Sequence, residues 1–118
     1  MTGQMTNTRR QFTVGVDIGA RSCKAIVFDI ARNPRGTAQK EYPRSYPRPG
    51  WVELDANSWW TAVATVIRES IANSQVHADQ IKSVVISAET DGILAVGSDG
   101  KPLRPYIHWL DTRCVSEH

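Results

Sequence analysis

Cysteine is scarce in this chain of 118 residues. Only Cys23 and Cys114 occur, which excludes a disulfide framework, and Cys23, set in an apolar stretch, reads as a small buried hydrophobe. Long hydrophobic runs are absent too, so no stretch reaches the length of a membrane-crossing helix. Residues 1–11 are polar, carry Arg9 and Arg10, and lack the apolar segment of a signal peptide. They are expected to form a short frayed tail, and the protein is expected to be cytoplasmic. His77, His108 and His118 stand too far apart for metal-ligand spacing, so no histidine is a candidate catalyst or ligand. A net charge of +2 is too small to imply a nucleic-acid partner. Its distribution is uneven, however. Residues 1–50 hold nine Lys/Arg against three Asp/Glu, and residues 51–118 hold five against nine. That basic first half suits a polyanionic nucleotide, or simply a solvated surface. There are no internal repeats and no low-complexity segments.

What is present describes one packed domain. Hydrophobic content of 41% and four tryptophans argue against disorder, and the length allows one core. Phe12–Asp17 and Cys23–Asp29 read as the strands of a hairpin, and residues 31–36 as a turn rich in breakers. Thr37–Tyr42 reads as a third strand. Pro43, Pro47, Pro49 and Gly50 mark an extended crossing that cannot be helix. Asp55 is the expected N-cap of a helix whose apolar face is Trp59, Val63, Val66, Ile67 and Ile71. Further strands are expected at Ile81–Ser87, which looks buried, at Gly92–Val96 and at Tyr106–Leu110, with a turn over Gly97–Gly100. Trp51, Trp59 and Trp60 read as core anchors without chemistry.

The most informative segment is Val14–Asp29. An apolar strand ends in Asp17, turns through Gly19, Ala20, Arg21 and Ser22, and returns as a second apolar strand. A carboxylate at a strand end can hold a hydrated divalent metal while the backbone N–H groups of a small-residue turn face phosphate oxygens. Gly19 presents no Cβ to an approaching phosphate. Ser22 adds a hydroxyl and Lys24 a mobile positive charge. The strand–GxxxxGK[ST]–helix loop is excluded, because the residues after the turn alternate as a strand does. The competing reading is an ordinary hairpin with a chance aspartate. The hairpin cradle resembles the ATPase fold shared by sugar kinases, actin and the Hsp70 chaperones. Three strands, a crossover helix and another strand is also the opening order of that ribonuclease-H-like α/β half-domain, with a mixed sheet.

From about Phe12 to Cys114 the chain resembles the FGGY family of carbohydrate kinases, xylulokinase-like members in particular. The Val14–Asp29 hairpin resembles the family's first phosphate motif. Residues 46–60, Tyr-Pro-Arg-Pro-Gly-Trp-Val-Glu-Leu-Asp-Ala-Asn-Ser-Trp-Trp, resemble its Pro-Gly-Trp-Val-Glu-x-Asp-Pro-x-x-Trp-Trp stretch. Residues 85–92, Val-Ile-Ser-Ala-Glu-Thr-Asp-Gly, resemble its Ile-Ser-Gly-Gln-Met-His-Gly segment. Residues 100–113 resemble its Gly-x-Pro-Leu-Arg-Pro-Ala-Ile-x-Trp-x-Asp-x-Arg segment.

The resemblance implies ATP and Mg2+ as cofactors. Asp17 would position the metal and the ATP phosphates, and Gly19, Ala20, Arg21, Ser22 and Lys24 would form the phosphate-facing turn. Ala20 stands where the family usually has threonine, which removes one hydroxyl. Thr90 and Asp91 fall where the family presents substrate-contacting side chains, and a carboxylate there accepts hydrogen bonds from sugar hydroxyls. Trp109 matches a tryptophan of the sugar pocket, and Asp111 and Arg113 follow it as an ion pair.

The implied activity is transfer of the γ-phosphate of ATP to a hydroxyl of a ketose or polyol, a xylulose-like sugar being favoured. Family members are several times longer. Their catalytic aspartate and adenosine pocket lie beyond the matching region, so residues 12–118 correspond to an incomplete first domain that is expected to be inactive alone. An exposed face of that domain would favour self-association. A non-catalytic remnant or binding module of the same fold stays open as the alternative. Another actin-like ATPase fits the Pro-Gly-Trp and Trp-Leu-Asp-Thr-Arg segments poorly.

Overall fold

A computed structural model describes residues 10–115. The tail expected over residues 1–11 therefore lies outside the described residues except for Arg10 and Gln11, and so do residues 116–118. β1 (Phe12–Ile18), β2 (Ser22–Asp29) and β3 (Pro34–Glu41) form an antiparallel meander. A short β4 (Glu53–Leu54) and the helix α1 (Ala56–Ser74) follow, then a single 3-10 turn over Ala78–Gln80. β5 (Ile81–Ala88) returns parallel to β1, and β6 (Tyr106–Ile107) pairs antiparallel with β4. The main sheet runs β3-β2-β1-β5, the opening of the actin-like ATPase fold expected from the sequence.

Period-two alternation decides which side of the sheet is core. Val14 and Val16 of β1 and Cys23, Ala25 and Val27 of β2 point to one face and are buried. α1 covers that face. Its N-cap is Asp55, whose Oδ1 accepts from the Asn57 N–H at 3.0 Å. Val63 and Val66 are buried on the face the sequence marked, with Trp59, Ile67 and Ile71 packed beside them. The helix ends at Gln75 in the left-handed region, φ 58°, without a glycine.

Several expectations are corrected. β5 is an edge strand and is not buried: Val84, Val85 and Ile86 are all at least half exposed. α1 packs chiefly over β3 and β2 and barely reaches β1. An apolar groove of about 340 Å³ is left between its first turns and Ile86, Ala88 and Leu94. Trp60, 72% exposed, lines that groove and anchors no core. Trp51 is outside the core as well, with the Arg113 guanidinium 3.8 Å from its ring centre.

The expected strand at Gly92–Val96 is only two isolated bridges, Ile93 to Ile107 and Val96 to Pro102. The last strand stops at Ile107 because His108 begins a turn closed by the Asp111 N–H. β3 starts at Pro34 rather than Thr37, since proline is tolerated as the first residue of an edge strand. The turn before it is only residues 30–33, held by Asp29, whose Oδ1 accepts from the Asn33 N–H at 2.9 Å. This hydrogen bond, before any other cause, holds the Asp29 carboxyl below its usual range.

Candidate active site

The hairpin turn is gripped from below. Gly19 N–H donates to the Ser22 carbonyl at 2.9 Å, and a Cβ on Gly19 would stand 3.2 Å from that same oxygen. Tyr42 arrives at the end of β3. Its N–H donates to the Arg21 carbonyl at 3.0 Å, and its hydroxyl lies against the carbonyls of Gly19 and Ser22. Burial pushes the phenol up to about 12, so it stays a donor at neutral pH. In a trans peptide the Ala20 N–H points opposite to the Gly19 carbonyl that Tyr42 occupies. Asp17 and Lys24 oppose each other in register, both exposed. They lie on the face away from α1, where with Gly15, Phe28 and Ser87 they rim a depression of about 250 Å³. Ser22 Oγ accepts from Gln39 Nε2 at 3.2 Å.

β1 and β5 are parallel and end side by side, and the carboxyl ends of parallel strands are where ligands bind in α/β sheets. The Glu89 N–H donates to the Ile18 carbonyl at 2.9 Å, so the loop carrying Thr90 and Asp91 starts directly beside the hairpin turn. Thr90 and Asp91 are exposed, and Asp91 has φ 70°, a left-handed conformation that costs a non-glycine residue energy. Glu89 points inward. Its Oε1 accepts from the Tyr106 hydroxyl at 3.1 Å and its Oε2 lies 3.4 Å from His108 Nε2, without hydrogen-bond geometry. His108 Nδ1 accepts from the Leu110 N–H at 3.1 Å, which leaves the proton of a neutral ring on Nε2.

The segment after β6 is laced onto the Gly50–Leu54 crossing. His108 N–H donates to the Val52 carbonyl (3.0 Å), and Val52 N–H donates to Asp111 Oδ2 (2.7 Å). Arg113 binds Asp111 Oδ2 at 2.6 Å and Glu53 Oε1 at 2.8 Å, and Arg104 shares that Glu53 oxygen at 3.1 Å. Asp111, its side chain 2% exposed, thus spends its oxygens on Arg113 and Val52. Trp109, 52% exposed, stands at the surface beside the His108 ring.

The Arg113 hydrogen bonds hold the Asp111 carboxyl well below the usual carboxylate range. As pH falls below about 4, unfolded chains take up that proton and folded ones do not. The clamp therefore adds stability above that pH and loses it in more acidic solution. Urea midpoints measured from pH 7 to pH 3 should fall more steeply for the native chain than for Asp111→Asn. Parallel profiles would contradict this.

The structure brings Asp17, Gly19, Ala20, Arg21, Ser22, Lys24, Thr90 and Asp91 to one end of the sheet, where β1 and β5 finish and β2 begins. Trp109 joins them through the His108–Tyr106–Glu89 contacts, while Asp111 and Arg113 face the Trp51–Glu53 crossing. Sequence reasoning missed Tyr42, Glu53, Glu89, Tyr106 and His108. The one available signal was the two-residue spacing of Tyr106 and His108, which puts both on one side of the strand expected over Tyr106–Leu110.

Residues 12–118 match the model of the FGGY family of carbohydrate kinases, N-terminal domain. The chain belongs to the FGGY family. The glycerol kinase of Thermococcus kodakarensis is 35% identical over 99 residues, 84% of this chain and 20% of the relative. That of Bordetella pertussis is 37% identical over 110 residues, 92% of this chain and 22% of the relative. Among solved FGGY structures, a xyloylose kinase from Brucella ovis superposes with a TM-score of 0.81 at 34% identity, covering 91% of this chain and 22% of its own. A Plasmodium falciparum glycerol kinase with ADP shares the fold, with a TM-score of 0.76 at 24% identity over 92% of this chain and 22% of its own. The chain thus spans about a fifth of the length of the FGGY relatives it matches. Among the described residues, no helix is long and apolar enough to cross a membrane.

Proposed function

We propose that residues 12–118 are the N-terminal part of the first domain of a cytoplasmic, ATP-dependent kinase that phosphorylates a hydroxyl of a ketose or polyol. One observation carries this reading: the Glu89-to-Ile18 hydrogen bond joins the Thr90–Asp91 loop to the end of the strand that bears Asp17. A phosphate site and a hydroxyl-binding site would then share one end of the sheet, as transfer between their ligands requires.

The Ala20 N–H, Arg21, the Ser22 hydroxyl and Lys24 would receive phosphate oxygens. Mg2+ is commonly held by one or two carboxylates together with water and phosphate oxygens. Asp17, an exposed carboxylate beside the turn, would be such a ligand. When bound, Mg2+-ATP supplies the phosphoryl group and neutralises charge on it. Thr90 and Asp91 would hydrogen-bond the sugar hydroxyls and Trp109 would cover its C–H side, with Asp111 and Arg113 fixing the segment that bears Trp109. The resemblance puts the base that takes the hydroxyl proton in another part of the enzyme, so these 118 residues alone should not turn over. The exposed Val84, Ile86, Leu94 and Trp60 support self-association of the isolated chain.

Asp91 is where xylulokinase-like members carry histidine and glycerol-kinase-like members carry glutamate. Losing a hydrogen-bonding partner in a polar site costs about 1–3 kcal/mol. In an active kinase containing this segment, Asp91→Ala should therefore cut kcat/KM for the preferred sugar by about tenfold to a hundredfold and leave the KM for ATP nearly unchanged. A screen of pentuloses, hexuloses and polyols checks it. A mutant that loses ATP affinity while keeping its sugar preference would remove Asp91 from the sugar site.

A further inference from the structure

Aromatic rings run in unbroken contact from beneath the phosphate turn to the expected sugar wall. Tyr42 meets Trp59 edge-on with centroids 6.1 Å apart, and Trp59 meets Tyr106 at 4.7 Å. Tyr106 meets His108 at 6.2 Å, and His108 meets Trp109 at 5.6 Å. Phenylalanine would fill the same space at Tyr42 and Tyr106. Burying a hydroxyl is unfavourable unless it is hydrogen-bonded, so what each hydroxyl touches is informative. Tyr42 spends its hydroxyl on the Gly19 and Ser22 carbonyls of the turn. Tyr106 spends its own on Glu89 Oε1, at 3.1 Å.

The Tyr106 oxygen also lies beneath the far end of that loop. A Cβ on Gly92 would fall 1.7 Å from it, so glycine is what lets the loop rest on the phenol. Backbone bonds pin the loop at its ends, from Glu89 N–H to the Ile18 carbonyl and from Ile93 N–H to the Ile107 carbonyl. Between them Asp91 adopts its left-handed φ of 70°. A strained residue keeps such a conformation only where its surroundings over-determine it.

We propose that Tyr106 is a positioning residue for the Thr90–Asp91 loop, and that Trp59, wedged between Tyr42 and Tyr106, sets the spacing between this loop and the phosphate turn. The inference rests on the sugar-kinase reading for its substrate, though not for its mechanics. Tyr106 touches no reacting atom; it acts through Glu89 and Gly92. Tyr42 does the corresponding work on the phosphate side, so the two hydroxyls should separate kinetically.

Two measurements test this. In an active kinase containing the segment, Tyr106→Phe should raise the KM for the sugar roughly tenfold, the effect of one hydrogen bond, and leave the KM for ATP within about twofold. Tyr42→Phe should do the reverse, and Trp59→Phe should raise both. In the 118-residue chain itself, Tyr106→Phe should speed amide hydrogen exchange at Glu89 and Ile93 about tenfold while β2 and β3 keep their protection. Unchanged exchange together with an unchanged sugar KM overturns the proposal. So does a uniform rise in exchange with both KM values raised alike, which is what a purely structural tyrosine would give. If the unmutated kinase phosphorylates no sugar or polyol, the functional reading fails, and the exchange result alone decides whether Tyr106 holds the loop.

Discussion

Asp17→Asn is expected to lower kcat/KM of an active kinase containing this segment by about a thousandfold, the upper end for removing one electrostatic contact to a reacting group. Asparagine keeps the size and one oxygen of aspartate but loses the charge, and a hard, reluctantly dehydrated dication needs that charge. The side chain is exposed on the face of the sheet away from α1, opposite Lys24. The substitution should therefore change folding stability by no more than about 0.5 kcal/mol. A coupled assay over a series of Mg2+ concentrations, with a urea melt of the same preparation, separates the two effects. Raised Mg2+ should restore part of the lost rate. If Asp17→Asn keeps more than a tenth of native kcat/KM, the metal assignment is wrong.

Gly36→Ala should destabilise the fold by about 3 kcal/mol, at the upper end for overpacking a tight contact. A Cβ there would lie 2.4 Å from the Ser70 carbonyl oxygen and from the Ser74 nitrogen, and 2.6 Å from the Ser74 Cα. All three are backbone atoms of the last turns of α1, so no rotamer change can relieve the clash. The helix must lift from β3, and buried Val66 and Val27 would lose contact. A domain of this size has about 5–15 kcal/mol in total. Gly100→Ala is the control: φ there is 78° and nothing lies within 4 Å, so only backbone strain of about 1–2 kcal/mol applies. Urea midpoints compare the two directly. A Gly36→Ala chain no less stable than the Gly100→Ala chain would mean that α1 is not seated on β3 as described.

Gly36 also marks the limit of reading the sequence. In the sequence it closes a run of breakers and reads as part of a turn. In the fold it lies within β3, beneath the helix. Local chemistry is legible because it needs few residues: alternation in Phe12–Asp29 gave the hairpin, and Asp55 with the Trp59–Ile71 periodicity gave the helix and its buried face. The Ile81–Ser87 run misled because apolarity records that a strand is to be covered, and only packing reveals whether anything in these residues covers it. β4 was missed because a two-residue strand has no period to detect.

The site divides along the same line. Residue type and short spacing alone marked Asp17 and the small-residue turn as candidates, and the family resemblance of residues 85–92 marked Thr90 and Asp91. Tertiary structure alone decided that these two segments, some seventy residues apart, meet through one hydrogen bond. It also decided that Asp111 and Arg113 close on Glu53, and that Tyr42, Trp59 and Tyr106 connect the two loops. Those pairings depend on which strands become neighbours, and strand neighbourhood is fixed by the burial of the whole sheet rather than by any residue along it.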